Sequence, residues 1–111
     1  MEQTIKISKK FDKYLKDTVP RRFQKNIRIV YSLLKKEGCT NVYLFGSIIK
    51  GKTNEISDID IGIKGLPDEK FFRVLSDVNH VSNITIDLVD FDDSNDFFSL
   101  LNEIGRIKEI E

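Results

Sequence analysis

Two aspartates separated by one residue, Asp58 and Asp60, are the residues of this chain best suited to chemistry. They lie in a segment where polar and apolar residues alternate, a pattern that predicts a strand. Side chains two residues apart on a strand point the same way, with Cα atoms about 6.6 Å apart at a rise of roughly 3.3 Å per residue. Hard cations such as Mg²⁺ take oxygen ligands, usually one or two carboxylates together with substrate phosphates. The pair therefore predicts a divalent-cation site with a phosphate-holding element nearby.

Gly46-Ser47, which ten residues separate from Asp58, is the candidate for that element. A glycine before a helical turn lets backbone approach a phosphate closely, and the start of the turn offers free N–H groups beside the serine hydroxyl. Lys50 is a further candidate contact, although exposure to solvent also explains a loop lysine. Gly-Ser alone is common at structural turns. Its conjunction with Asp58 and Asp60 favours a site for a nucleotide's phosphates.

A third carboxylate, Asp87, is expected from a later strand over 84–89, where it lies opposite a branched apolar row. Three carboxylates packed closely repel one another unless cations neutralise them, so the set favours metal-dependent chemistry. The nearby Asp90, Asp92 and Asp93 are interpreted as a solvated turn and helix entry, because aspartate favours turns.

These residues resemble the nucleotidyltransferase superfamily that includes DNA polymerase beta, and most closely its smallest branch, the minimal nucleotidyltransferases. The resemblance covers most of the chain and rests on the glycine-serine pair, the two aspartates at the family's spacing, the third-carboxylate strand and the closing stretch: Gly46, Ser47, Asp58, Asp60, Ile86–Val89 and Leu100–Ile110. One departure is visible. Family members often carry arginine soon after the serine, whereas Ile48 and Ile49 follow Ser47 here.

The resemblance implies a two-metal nucleotidyl transfer from ATP, with AMP transferred and pyrophosphate leaving. Asp58, Asp60 and Asp87 would be the catalytic carboxylates and the ligands of two Mg²⁺ ions. Asp87 would bind the metal nearest the acceptor hydroxyl, and that hydroxyl would lose its proton either directly to Asp87 or through the lowering of its pKa by the metal. The same resemblance makes Gly46, Ser47 and Lys50 the nucleotide-binding residues.

The partner implied by the resemblance is a helical protein of the HEPN type, often an RNase toxin, on which the minimal nucleotidyltransferase adenylylates a tyrosine as antitoxin. Two alternatives stay open. The chain is a binding module that neutralises its partner by contact, with Phe97, Phe98, Leu100 and Leu101 extending into the interface, or it is the catalytic half of a two-subunit enzyme for small molecules.

Length and composition set the frame for these expectations. The 111 residues predict one nucleotidyltransferase domain over 1–111, and the sequence shows neither a membrane-spanning run nor a signal peptide, so a cytoplasmic protein is expected. Residues 1–38 carry 11 Lys/Arg against 4 Asp/Glu, and residues 39–111 carry 7 against 14. The basic part is explained by solvated helix faces, and direct nucleic-acid binding stays open. Cys39, the only cysteine, excludes an internal disulfide.

The elements that must position the site are read from hydrophobic periodicity. Two amphipathic helices flank Pro20, and Gly38 is placed to end the second. We expect a strand over 42–45, a helical turn over 47–50, a strand over 56–63, a helix over 68–79, the strand over 84–89, a helix over 94–103 and a closing edge strand. These elements predict an α/β (α+β) fold with a small mixed sheet, helices packed on one face and the acids on the other.

Overall fold

The computed structural model describes residues 4–50 and 58–111, without the side chain of residue 50. The order of elements is helix, helix, strand, helix, strand, helix, strand, helix, strand, with a short 3₁₀ turn before the fourth helix. Their bounds are α1 Lys9–Thr18, α2 Arg21–Lys36, β1 Asn41–Phe45, α3 Ser47–Lys50, β2 Asp58–Lys64, the 3₁₀ turn Asp68–Lys70, α4 Phe71–Val81, β3 Thr85–Asp90, α5 Asn95–Glu103 and β4 Ile107–Ile110.

The four strands form one mixed sheet in the order β3-β2-β1-β4. β1 runs antiparallel to both β2 and β4, whereas β2 and β3 are parallel. Parallel neighbours need a crossover connection, and the 3₁₀ turn with α4 supplies it. The expected fold class is confirmed.

One face of the sheet packs against helices and forms the main core. Strand alternation sends Ile59, Ile61 and Ile63 of β2 to this face, where all three are fully buried. α1, α2 and α4 contribute the helical half of the core, for example Leu15, Ile27 and Val74. Pro20 precedes the first residue of α2, and Gly38, at φ +110°, follows its end, as predicted.

The opposite face carries a second, smaller cluster of apolar side chains, and α5 covers part of it. This aromatic cluster consists of the buried Tyr43, Phe45, Phe91 and Leu101, with the partly buried Val89, Phe98 and Ile107 packed against them. Gly62 makes room for it, because a Cβ there would overlap the ring of Phe91. The acids therefore share their face of the sheet with a short helix and an aromatic cluster.

The outer edge of β3 is closed by one side chain of α4. Asn79 accepts a hydrogen bond from the Ile86 N–H at 2.8 Å and donates one to the Ile86 carbonyl at 3.0 Å. An asparagine amide thus takes the place of a fifth strand at this point and leaves the backbone of a buried residue satisfied.

We expect Asn79→Ala to lower the free energy of unfolding by about 1 to 3 kcal/mol, because it leaves both backbone groups of Ile86 without a partner. Urea denaturation of the purified protein measures the change. Asn102→Ala is the matched control, since its exposed amide donates to the Phe98 carbonyl of its own helix at 3.3 Å. Equal losses in the two variants would contradict this role for Asn79.

Candidate active site

The candidate site lies in one row across three strands, on the face that also carries the aromatic cluster. In the sheet register Phe45 of β1 pairs with Asp60 of β2, and Asp60 pairs with Asp87 of β3. Asp58 is two residues earlier on β2 and pairs with Thr85. Because side chains alternate along strands, Asp58, Asp60 and Asp87 stand on the same face. The structure brings together the three carboxylates that the sequence singled out.

Asp60 is the most enclosed of the three carboxylates. It is partly buried, whereas Asp58 and Asp87 are exposed. Burial, the negative charge of Asp87, a hydrogen bond with Asp87 and the charge of Asp58 together raise the pKa of Asp60 to about 6. A carboxyl group held this way gains strongly from a nearby positive charge.

Gly46 sits directly against Asp60. Its φ is +80°, and a Cβ built on it would overlap the Oδ2 atom of Asp60. Only glycine satisfies both conditions, the left-handed backbone and the close approach to the carboxylate. The turn that ends β1 is thereby pressed onto the acidic row.

Ser47 follows as the exposed first residue of α3. Ile48 is buried in the main core, and Ile49 packs partly against it. The apolar pair that follows Ser47 therefore anchors α3 to the core. The side chain of Lys50 lies outside the described residues, as does the loop 51–57 with Lys52 and the first two residues of the strand expected over 56–63.

A different group of acids is the one that converges most tightly. Within residues 4–50 and 58–111, Asp68, Asp90 and Asp93 are the three acids whose carboxylate oxygens lie within 4.8 Å of one another. Asp58, Asp60 and Asp87 do not meet this spacing.

The interpretation of Asp90 as a solvated turn residue is wrong. It is the last residue of β3 and only 8% exposed. Its carboxylate stays in the fold because it accepts a hydrogen bond from the Asp92 N–H at 2.9 Å. Burial raises the pKa of Asp90, against the effect of that hydrogen bond, and the neighbouring acids raise it further. Asp92 and Asp93 are exposed in the turn, as expected.

The aromatic border of the site was not anticipated. Phe45 stands beside Asp60 in the row, and the ring of Phe97 from α5 meets the Phe45 ring edge-on with centroids 5.6 Å apart. The alternation of Tyr43 and Phe45 with the core residues Val42 and Leu44 was the available signal, because it sends two rings to the acid face.

Comparison with known proteins identifies the family of this chain. Residues 28–105 match the family model described as "Polymerase beta, Nucleotidyltransferase". The chain belongs to this family. The match extends from α2 through α5, so all the strand and turn residues of the candidate site lie within it. As a polymerase beta-type nucleotidyltransferase, the chain carries its three candidate carboxylates on β2 and β3 and its glycine-serine turn after β1.

One solved structure supports the fold independently. The "Crystal structure of the toxin-antitoxin with AMP-PNP" matches with a TM-score of 0.58 and 22% sequence identity, covering 81% of this chain and 72% of that one. At this identity the likeness establishes the fold alone. No curated protein matches the chain. Among the residues described here, no helix has the length and apolar character needed to cross a membrane.

Proposed function

We propose that this nucleotidyltransferase transfers AMP from ATP to a hydroxyl group of a partner protein, with Mg²⁺ held by Asp58, Asp60 and Asp87. The observation that carries the proposal is the position of Asp60, pressed between the glycine of the Gly46-Ser47 turn and the carboxylate of Asp87. A set of carboxylates suited to bind a metal thus lies in contact with a glycine-serine turn suited to bind phosphate.

The donor set fits divalent magnesium. Carboxylate oxygens are the ligands that Mg²⁺ prefers, and the raised pKa of Asp60 identifies a place where positive charge is favoured. When bound, Mg²⁺ supplies neutralisation of the charge that develops on the phosphoryl oxygens. Asp58 and Asp60 on one strand, with Asp87 on the next, are the residues that would hold it.

In the proposed reaction the acceptor oxygen attacks the α-phosphorus of ATP. The new O–P bond replaces the bond to the bridging oxygen of the β-phosphate, and pyrophosphate leaves. Asp87 is exposed and stands at the outer end of the row, so its carboxylate is the one an acceptor hydroxyl can reach and the one proposed to take its proton. The Gly46 and Ser47 backbone would position the phosphates, with Lys50 as a further contact.

A protein acceptor is favoured over a small molecule by what surrounds the row. Among the described residues, the aromatic cluster and α5 border the acids and offer apolar side chains for contact with a protein surface. The structural neighbour is by its own description a toxin-antitoxin with AMP-PNP. We propose by analogy that this chain acts as the antitoxin of such a pair, on a HEPN-type helical toxin and on a tyrosine hydroxyl, in the cytoplasm.

The experiment is a label-transfer assay with ATP labelled at either the α- or the γ-phosphate. The protein is incubated with Mg²⁺ and native lysate of the cells of origin, and labelled protein bands are separated. Relative to lysate without the added protein, we expect a new band with α-label and no new band with γ-label, because AMP transfer keeps only the α-phosphate. The modified residue is then identified by mass spectrometry as a tyrosine carrying AMP.

Other outcomes lead to the alternatives. A γ-labelled band that appears only with the added protein and is lost in its Asp60→Asn variant would indicate phosphoryl transfer and contradict the proposal. Label on small molecules alone would favour the two-subunit small-molecule enzyme. Absence of any label, with a stable protein complex still formed, would favour the binding module that acts by contact.

A further inference from the structure

α5 exposes an apolar strip made of Phe97, Leu100 and Ile104. These side chains are 39%, 49% and 55% exposed, and they are spaced three and four residues apart, so they lie along one side of the helix. At 1.5 Å per residue the strip is about 10 Å long. The neighbouring Phe98 and Leu101 face the aromatic cluster instead. The aromatic cluster therefore accounts for two of the four apolar residues that suggested an interface, whereas Leu100 and Ile104 point to solvent and Phe97 is partly covered by its ring contacts with Phe45 and Phe91.

The strip begins beside the acidic row. The Phe97 ring contacts the Phe45 ring, and Phe45 is the β1 partner of Asp60. One aromatic side chain thus separates the end of the strip from the most enclosed carboxylate. A molecule lying along α5 would bring its end to the row that contains Asp60 and Asp87.

The charges within α5 and the turn before it have one sign, whereas two cations lie at the borders of this segment: Arg106 follows it, and Lys64 Nζ lies 3.7 Å from the centroid of the Phe98 ring. Residues 91–105 contain four acids, Asp92, Asp93, Asp96 and Glu103, and no lysine or arginine. Asp96 and Glu103 are exposed and seven residues apart, so they line one flank of the strip. With the acids of β2 and β3, they give this side of the molecule a negative potential that attracts a basic surface.

This charge decides between the possible occupants. A nucleic acid would be repelled. A second copy of the chain, related by two-fold symmetry, would bring the same acids against each other. A protein with an apolar centre and a rim of lysine and arginine satisfies both the strip and its flank.

We propose that the α5 strip is the docking surface for the acceptor protein, whose contacting segment is apolar with a basic rim and presents its hydroxyl at Asp87. This inference rests on the proposed function. It adds where the acceptor binds and what its surface must carry. A partner whose surface lacks either apolar or basic groups would not fit the strip.

The test compares Leu100→Ser/Ile104→Ser with wild type in the label-transfer assay. The first assay uses a dilution series of lysate, and the second uses the acceptor that the label has identified, purified in its unmodified form. Loss of two central apolar contacts is expected to raise the KM for the acceptor by about tenfold or more, with kcat little changed. Affinity for Mg-ATP and the melting temperature should stay at wild-type values. Ile5→Ser/Val81→Ser is the matched control, because those residues are 36% and 42% exposed and belong with the helices of the main core: the Ile5 N–H donates to Ser32 of α2, and Val81 is the last residue of α4.

Asp96→Lys/Glu103→Lys is the second variant and tests the charge. It should raise the same KM, and added salt should weaken acceptor binding by wild type more than by this variant. The inference is overturned if the strip variant and the charge variant both label the acceptor as well as wild type does. It is also overturned if the strip variant loses as much affinity for Mg-ATP as for the acceptor, or if wild type is a dimer that the strip variant dissociates. Absence of labelling by wild type would overturn the proposed function itself, and is thereby distinguished from failure of the docking surface alone.

Discussion

Replacing Asp60 by asparagine is expected to reduce AMP transfer by about a thousandfold or more. The substitution keeps the size of the side chain and removes the charge at the centre of the row, where the carboxylate faces both Gly46 and Asp87. Removing one electrostatic contact to the reacting group commonly costs about 10² to 10³ in rate, and losing a metal ligand adds to it. Initial rates with α-labelled ATP and the purified acceptor measure the effect.

The same substitution should stabilise the protein in a chelating buffer. The pKa of Asp60 is raised to about 6 in the fold from its ordinary value of 3.8. A raised carboxyl pKa means that the ionised form is disfavoured in the folded state, so the destabilisation is fully present above pH 6 and disappears as the pH falls below about 4. We therefore expect Asp60→Asn to melt above wild type at pH 7 in EDTA, with the difference shrinking towards pH 4.

Asp17→Asn is the control for both measurements. Asp17 is on α1, is 56% exposed and pairs with Lys13 in its own helix. It should keep wild-type transfer and show no gain in melting temperature. A transfer rate in Asp60→Asn within tenfold of wild type would remove Asp60 from the proposed metal set. A melting temperature below that of wild type at pH 7 would contradict the pKa argument.

The sheet was predictable from the sequence because β2 is buried on one face only. Ile59, Ile61 and Ile63 alternate with Asp58 and Asp60, and a shift of one residue would place acids in the core, so the pattern fixes which face each side chain takes. The strand register that aligns Phe45, Asp60 and Asp87 could not be predicted from this alternation. It depends on pairings between segments that are distant in sequence.

The acid face was harder to predict, for two physical reasons. α5 carries apolar residues on two sides, Phe98 and Leu101 towards the cluster and Leu100 with Ile104 towards solvent, so periodicity alone did not show which side is buried. Asp90 was mistaken for a solvated turn residue because aspartate generally favours turns. That general preference does not include the hydrogen bond from the Asp92 N–H, which allows this side chain to be buried. The roles of the candidate site residues stay predictions.

Replacing Gly46 by alanine is expected to lower AMP transfer by about a hundredfold, with a loss of stability of only about 1 to 2 kcal/mol. The left-handed backbone at φ +80° accounts for the stability loss. The activity loss has a separate cause, because the new methyl group overlaps Oδ2 of Asp60 and forces that carboxylate or the turn to move. A displacement of about 1 Å in a catalytic group commonly costs about 10² in rate.

Gly38→Ala separates the two causes. Gly38 also has a positive φ, +110°, but a Cβ there would meet nothing within 4 Å. It should lose stability through backbone strain and keep both transfer and affinity for Mg-ATP. If urea denaturation shows similar losses for the two variants and only Gly46→Ala loses activity, the contact between turn and carboxylate is what the reaction requires. If Gly46→Ala keeps its activity, the close approach of Gly46 to Asp60 is a feature of packing, and the phosphate-holding role proposed for this turn loses its main support.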